Sequence, residues 1–179
     1  MATHLKKKVK EIIRNFEKLR WKCSLPLYRE LSFYKTHMTD IKPLSWWCFT
    51  KKYPNLKCKV SCVVAILLGG QPRGIQRNID HEICKICYLR AAEDPAHILF
   101  KCPALAAKRE TTWHRVLASM PQGMSRSLAE MPLQSMTEFI LTGLKSETYI
   151  EEWDEIYLTI ANFVFSMYNH RNELYDETL

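Results

Sequence analysis

Cys84, Cys87, His97 and Cys102 follow one another as C-x2-C-x9-H-x4-C, a spacing that suits a single tetrahedral zinc site closed by three thiolates and an imidazole. A C-x2-C pair forms a tight turn that presents two sulfurs to one ion, and His97 and Cys102 are close enough in sequence to complete the shell from the next segment. A chain folded around such a site gains a covalent-like tether in its middle, so the surrounding helices must pack on that point. Two other readings stand beside it: the thiols could be inert core residues, in a chain with seven cysteines, or the C-x-x-C could be a redox pair, which would need a βαβ context that the sequence does not display.

The neighbours favour metal. Pro103 suits the first position of a helix, which would put Cys102 near an N-cap, where the helix dipole and free N–H groups favour a thiolate. Lys85, Arg90 and Lys101 would offset the net negative charge of a Cys3His zinc centre. With four protein ligands and no open position for water, the site reads as structural.

Nearly all the rest of the chain has helical periodicity. Leu5, Val9, Ile12, Ile13, Phe16 and Leu19 space a basic amphipathic helix over 5–22, with Lys6, Lys7, Lys8, Lys10, Arg14 and Lys18 on its other faces. Pro26 opens a short helix to about Phe33, and residues 45–53 form another, which carries Trp46, Trp47, Lys51 and Lys52. The two Trp rings are either core or, beside those lysines, a platform for stacked bases. Leu56, Val60, Val63, Val64 and Leu67 mark a helix over 55–68, stopped by Gly69, Gly70 and Pro72. Cys58 and Cys62 on it read as core or surface thiols rather than ligands.

A polar loop from Gln71 to Asp80 presents Arg73 and Arg77. Beyond Pro103 a helix runs to Met120, Pro121 to Ser127 makes a break, and a further helix covers Leu133 to Leu144. The longest helix spans Glu147 to Tyr175, with Trp153, Ile156, Tyr157, Ile160, Phe163, Val164, Met167 and Tyr168 repeating at three and four. Its polar end, His170 to Glu173, reads as solvated. The expected fold class is mainly α: a small helical domain built around one Cys3His structural zinc element, with a long C-terminal helix. Its parts are a basic helical region (1–79), the zinc element with its following helix (80–118) and a C-terminal helical region (119–179), packed as one compact unit.

Charge is unevenly spread. Residues 1–60 hold 15 Lys/Arg against 4 Asp/Glu, the remainder 11 against 15, within a net charge of +7. A basic first third suits a polyanion partner, RNA or DNA, because neutralising phosphates releases counterions; the blander reading is a solvated helix face. The longest apolar run, from Val60 to Leu68, is too short for a membrane span, and no apolar core of a signal peptide follows the first lysines. The cysteine pattern suits a reducing, intracellular setting, nuclear or cytoplasmic.

The run ICKICYLRAAEDPAHILFKCPALAAKRE resembles the zinc-binding segment that follows the polymerase region in reverse transcriptases of non-LTR retrotransposons. Weaker similarity extends to RWKCSLPLYRELSF, CVVAILLGGQPRGIQRN and MTEFILTGL, so the resemblance covers about residues 9–170. It implies one structural Zn2+ on Cys84, Cys87, His97 and Cys102, and nucleic-acid contacts at Arg73 and Arg77. It also implies a place beside the rest of a reverse transcriptase polyprotein. No Tyr-x-Asp-Asp carboxylate pair exists, so this chain has nothing with which to run two-metal nucleotide addition.

The expected function is therefore a non-catalytic nucleic-acid-binding module that holds template RNA or target DNA through phosphates, using Lys6, Lys7, Lys8, Lys10, Lys51, Lys52, Arg73 and Arg77. The alternative is a zinc-stabilised protein-interaction adaptor or relic without nucleic-acid binding. A zinc nuclease using His81, Glu82 or His114 is a third reading, disfavoured by the closed shell.

Overall fold

The computed structural model describes residues 8–13, 15, 16, 19, 45–67, 83–142 and 153–177. The expected helix from Pro26 to Phe33, the Gln71–Asp80 loop and residues Lys6, Lys7, Arg73, Arg77, His81 and Glu82 lie outside them. Among the described residues the architecture is helical, with one isolated antiparallel bridge, Ile83 to Ala92, and no strand. The mainly-α expectation is met.

Among the described residues, besides part of the N-terminal helix, the fold is carried by α1 (Ser45–Lys52), α2 (Lys57–Leu67), α3 (Ala106–Ser119), α4 (Gln122–Glu130), α5 (Leu133–Thr142) and α6 (Asp154–Glu177). Short turns complete it, a 3-10 turn before α2 (Pro54–Leu56), a π turn (His97–Lys101) and a 3-10 turn before α3 (Pro103–Leu105). The long helix α6 is the hub. It packs most extensively on α3, then on α2, and also touches α1 and both turns that flank Cys102. Asp154 and Glu155 in its first turn complement the positive end of the helix dipole. Its periodic apolar set, including Ile156, Tyr157, Ile160, Phe163, Val164 and Met167, is buried as the spacing predicts.

Two aromatic clusters lock the other elements onto this hub. Trp46 and Phe49, three residues apart on α1, bury completely against Tyr157, at ring-centroid distances of 4.9 and 5.5 Å. The Trp46 indole Nε1 donates to the Leu141 carbonyl at 2.9 Å, which satisfies one of the end-of-helix acceptors of α5. Trp46 is thus core; Trp47 is 44% exposed. In the second cluster Phe100 of the π turn, Trp113 of α3 and Phe163 of α6 meet at 5.1 to 5.9 Å, tying the metal-ligand segment to the hub.

Two expectations change. The break from Pro121 to Ser127 is mostly helix, since α4 begins at Gln122. Pro121 ends α3 and opens α4: it disfavours the helical conformation for Met120 before it, which is extended (φ −93°, ψ 148°), and its own carbonyl accepts from Met124 and Ser125. Gly123 and the serines read as loop by propensity, but burying Leu128 and half-burying Met124 against the core outweighs a few tenths to one kcal/mol per residue. Next, the polar end of α6 is not simply solvated, because Arg171 is only 2% exposed. Separately, in the described part of the basic N-terminal helix Val9, Ile12, Ile13, Phe16 and Leu19 are 46 to 64% exposed.

Candidate metal centre

Local backbone geometry brings the four expected ligands together. Cys84 and Cys87 occupy a turn closed by Cys84 N–H donating to the Ala91 carbonyl at 2.8 Å and by the Ile83–Ala92 bridge. Reversing the chain this tightly puts Arg90 at φ 47°, a left-handed conformation that a non-glycine residue adopts at some cost. The backbone N–H groups of Ile86 and Ala104 favour the charged forms of the Cys84 and Cys102 sulfurs respectively.

The second half of the ligand set is a capped π turn. Asp94 Oδ1 accepts from the His97 N–H at 2.7 Å, and the Cys102 N–H donates to the His97 carbonyl at 2.7 Å. That five-residue bond defines a π turn, a geometry rare outside functional sites. An ordinary α turn would swing a residue five positions on away from His97; the wider turn brings Cys102 back beneath it. Cys102 itself leaves the helical conformation (φ −58°, ψ 118°) before Pro103 starts the approach to α3.

As a result the donor atoms of Cys84, Cys87, His97 and Cys102 all lie within 4.8 Å of one another, and the group can hold a metal ion. Cys84 Sγ and Cys102 Sγ are 3.9 Å apart, and Cys87 Sγ is 3.5 Å from His97 Nε2. With metal–sulfur and metal–nitrogen bonds of about 2.3 and 2.0 Å, a tetrahedron has edges of about 3.8 Å between sulfurs and about 3.5 Å between sulfur and nitrogen. The Cys84–Cys102 and Cys87–His97 separations match those two edges. The other ring nitrogen, His97 Nδ1, is buried without a partner, so no carboxylate or carbonyl competes for the imidazole.

Burial dominates the electrostatics of the four groups. It pushes the Cys84 thiol up to about 12 and raises Cys102 as well, with the Cys87 sulfur adding to both. It also holds His97 below the ordinary imidazole value, outweighing Asp94 and Glu93. The N-cap position expected to favour a Cys102 thiolate is present, but the N–H from Ala104 and the dipole do not overcome desolvation by themselves. A bound cation is what would make thiolates stable here, by displacing the protons.

Positive charge reaches the cluster from Lys101, which acts on His97, and from within the fold. Lys85, Arg90 and Lys101 are exposed. The cation beside the cluster is Arg109, on the first turn of α3, whose Nη2 donates to the Cys102 carbonyl at 3.1 Å while Nη1 is buried with no partner. Its place seven residues after Cys102, two helical turns along, was the available signal. Sequence reasoning also missed Glu93. Its carboxylate takes a bidentate pair of bonds from Arg171, at 2.9 and 2.6 Å, and one from Tyr175 Oη at 3.2 Å. That pair clamps the segment between Cys87 and His97 onto α6.

The remaining predicted residues fall into separate places. Lys8 and Lys10 are exposed on the N-terminal helix, and Lys51 is exposed at the end of α1. Lys52 is partly engaged, with its Nζ 2.7 Å from Asp154 Oδ2 and Asp154 also accepting from Tyr53 Oη. Cys58 is exposed and Cys62 buried, and neither joins the metal cluster, in keeping with the reading of both as ordinary thiols. His114 lies exposed on α3. No helix among the described residues is long and apolar enough to cross a membrane.

Comparison with known proteins adds little. No protein-family model matches the chain, and no solved structure does. A late blight resistance protein homolog of Solanum demissum is 23% identical over 190 residues, an alignment that takes in 97% of this chain but only 14% of that protein.

Proposed function

We propose that this chain is a non-catalytic, zinc-stabilised helical module that binds RNA or DNA through phosphate contacts, as its resemblance to the zinc-binding region of non-LTR retrotransposon reverse transcriptases implies. The observation that carries the reading is the convergence of three cysteines and one histidine, their donor atoms within 4.8 Å of one another, within a helical core. Three soft sulfurs and an imidazole favour zinc over calcium or magnesium, which prefer oxygen ligands. Zinc there would supply a cross-link, holding the Cys84 turn, the π turn and the start of α3 in one arrangement.

The basic first third supports the nucleic-acid part, with Lys6, Lys7, Lys8, Lys10, Lys51, Arg73 and Arg77 as contacts; Lys52 contributes less, because Asp154 already neutralises it. Elemental analysis of protein purified without added zinc, followed by titration of single-stranded RNA and duplex DNA at rising salt, tests both parts. One zinc per chain and binding that weakens steeply with salt is the expected outcome. Absence of metal would remove the foundation of the reading, and salt-insensitive or absent binding would remove its nucleic-acid half.

A second reading, a zinc-stabilised protein-interaction adaptor, is favoured by the exposed stripe of Val9, Ile12, Ile13, Phe16 and Leu19. Docking through that stripe would survive high salt. The name of the Solanum demissum relative speaks of resistance and bears on neither reading.

A further inference from the structure

A cleft of about 460 Å³ opens between α2, α3 and α6, lined by none of the four metal ligands. Its walls differ in chemistry. From α3 it receives Lys108, Thr112 and Arg115, at positions i, i+4 and i+7 on one face of the helix, and from α2 it receives Lys59. From α6 it receives Asn162, Ser166 and Asn169, again at spacings of four and three.

Lys59 Nζ donates to Asn162 Oδ1 at 2.5 Å, which points the ammonium across the cleft and leaves the amide NH2 of Asn162 as a donor. Lys108 and Arg115 are exposed. The only carboxylate among the lining residues is Glu173; its side chain is 68% exposed and it faces His170 Nδ1 at 3.1 Å. Three cations and a row of neutral donors, with that carboxylate turned towards water, form a site for an anion with several oxygens.

The shape narrows the class of anion. A groove open to solvent and bounded by three helices admits an extended strand but not the body of a duplex. Cations strung along seven residues of α3 suit successive phosphates better than one compact anion. Phe165, half-buried at the same wall, adds a ring on which a base can stack. We propose that this cleft is a phosphate-binding groove for a single nucleic-acid strand, with Lys59, Lys108 and Arg115 engaging the backbone. The inference rests on the nucleic-acid reading above and assigns it a second contact surface. It also gives the metal cluster a task. Cys102 and Arg109 set the start of α3, and Lys108, which lines the cleft, is in that first turn.

Fluorescence anisotropy of labelled single strands of about 12 nucleotides, one RNA and one DNA, tests the groove in the zinc-loaded full chain as salt rises from about 50 to about 200 mM. Lys108→Gln with Arg115→Gln should flatten the slope of log affinity against log salt by about 1.4, or about 0.7 for each lost phosphate contact. Lys57→Gln with Arg126→Gln removes the same charge from exposed positions outside the cleft and should keep the wild-type slope. Arg115→Lys alone should keep it too. Metal content identical to wild type verifies that each variant is folded. Wild-type binding with an unchanged slope in the cleft variant, or equal flattening in the comparison variant, overturns the groove and leaves the broader reading standing. Failure of the wild type to bind either strand overturns both. This pattern on either strand supports the groove.

Discussion

Replacing Arg171 by Met should be among the most damaging single changes in the molecule. Arg171 and Glu93 are joined by two hydrogen bonds, at 2.9 and 2.6 Å, and their side chains are 3% and 0% exposed. The guanidinium also lies 4.2 Å from the centre of the Tyr175 ring. Although burial works against its charge, hydrogen bonding and attraction from Glu93 hold the Arg171 pKa above its ordinary value. Removing the arginine leaves a carboxylate in a space built for an ion pair, with the Tyr175 hydroxyl as a weak remaining donor at 3.2 Å. Breaking such a pair costs about 3–5 kcal/mol. With a urea dependence of about 2 kcal/mol/M for a chain of this size, the unfolding midpoint should fall by about 1.5–2.5 M.

The assay is urea unfolding of zinc-saturated protein, followed by circular dichroism. Glu173→Gln serves as a yardstick, because the His170–Glu173 contact is 33% and 68% exposed and such surface pairs contribute about 0–1 kcal/mol. Glu93→Leu combined with Arg171→Met, which removes both charges, should cost less than Arg171→Met alone. If Arg171→Met shifts the midpoint no more than Glu173→Gln, the pair is not a buried clamp and the argument is refuted.

Other outcomes follow from the same structure. Cys87→Ser or His97→Ala should abolish metal binding and unfold the segment 83–119, since structural zinc contributes on the order of 10 kcal/mol in small metal-dependent units; elemental analysis with circular dichroism checks this. Because burial raises the Cys84 and Cys102 thiols above their ordinary value of 9.0, the metal-free fold holds their protons more tightly than the unfolded chain does. Its stability should therefore be fully present below pH 9 and lost as pH climbs towards about 12, while the metal-loaded form is spared; thermal melts across that window, with and without chelator, decide the matter. Arg109→Ala should weaken metal affinity by about 10-fold, as loss of outer-shell partners does, and a competition titration that finds no change would show that its charge is irrelevant to the cluster. Trp46→Phe leaves the buried Leu141 carbonyl without its 2.9 Å donor and should cost about 1–3 kcal/mol in the same urea assay.

Much of this protein is decided locally and was legible without coordinates. The apolar residues of α2 and α6 repeat at three and four, so their helices and buried faces follow from periodicity. The four metal ligands lie in one short segment, where a turn and a single helical revolution suffice to gather them, so their spacing alone announces the cluster. Where local signals conflicted with packing, packing prevailed: Gly123 and its serines read as a break, yet Leu128 draws them into α4.

Only tertiary structure could decide what joins residues far apart in the chain. Glu93 and Arg171 are separated by 78 positions, and neither carries any mark of its partner, because an ion pair has no sequence period. The cleft is of the same kind. It takes Lys59 from the basic first third and Lys108 and Arg115 from a stretch with more acids than bases, so a tally of charge along the chain passes over it. Periodicity and ligand spacing are properties of neighbours, which a sequence records directly; the meeting of α2, α3 and α6 depends on how their faces dock, and that is set only once the whole core closes.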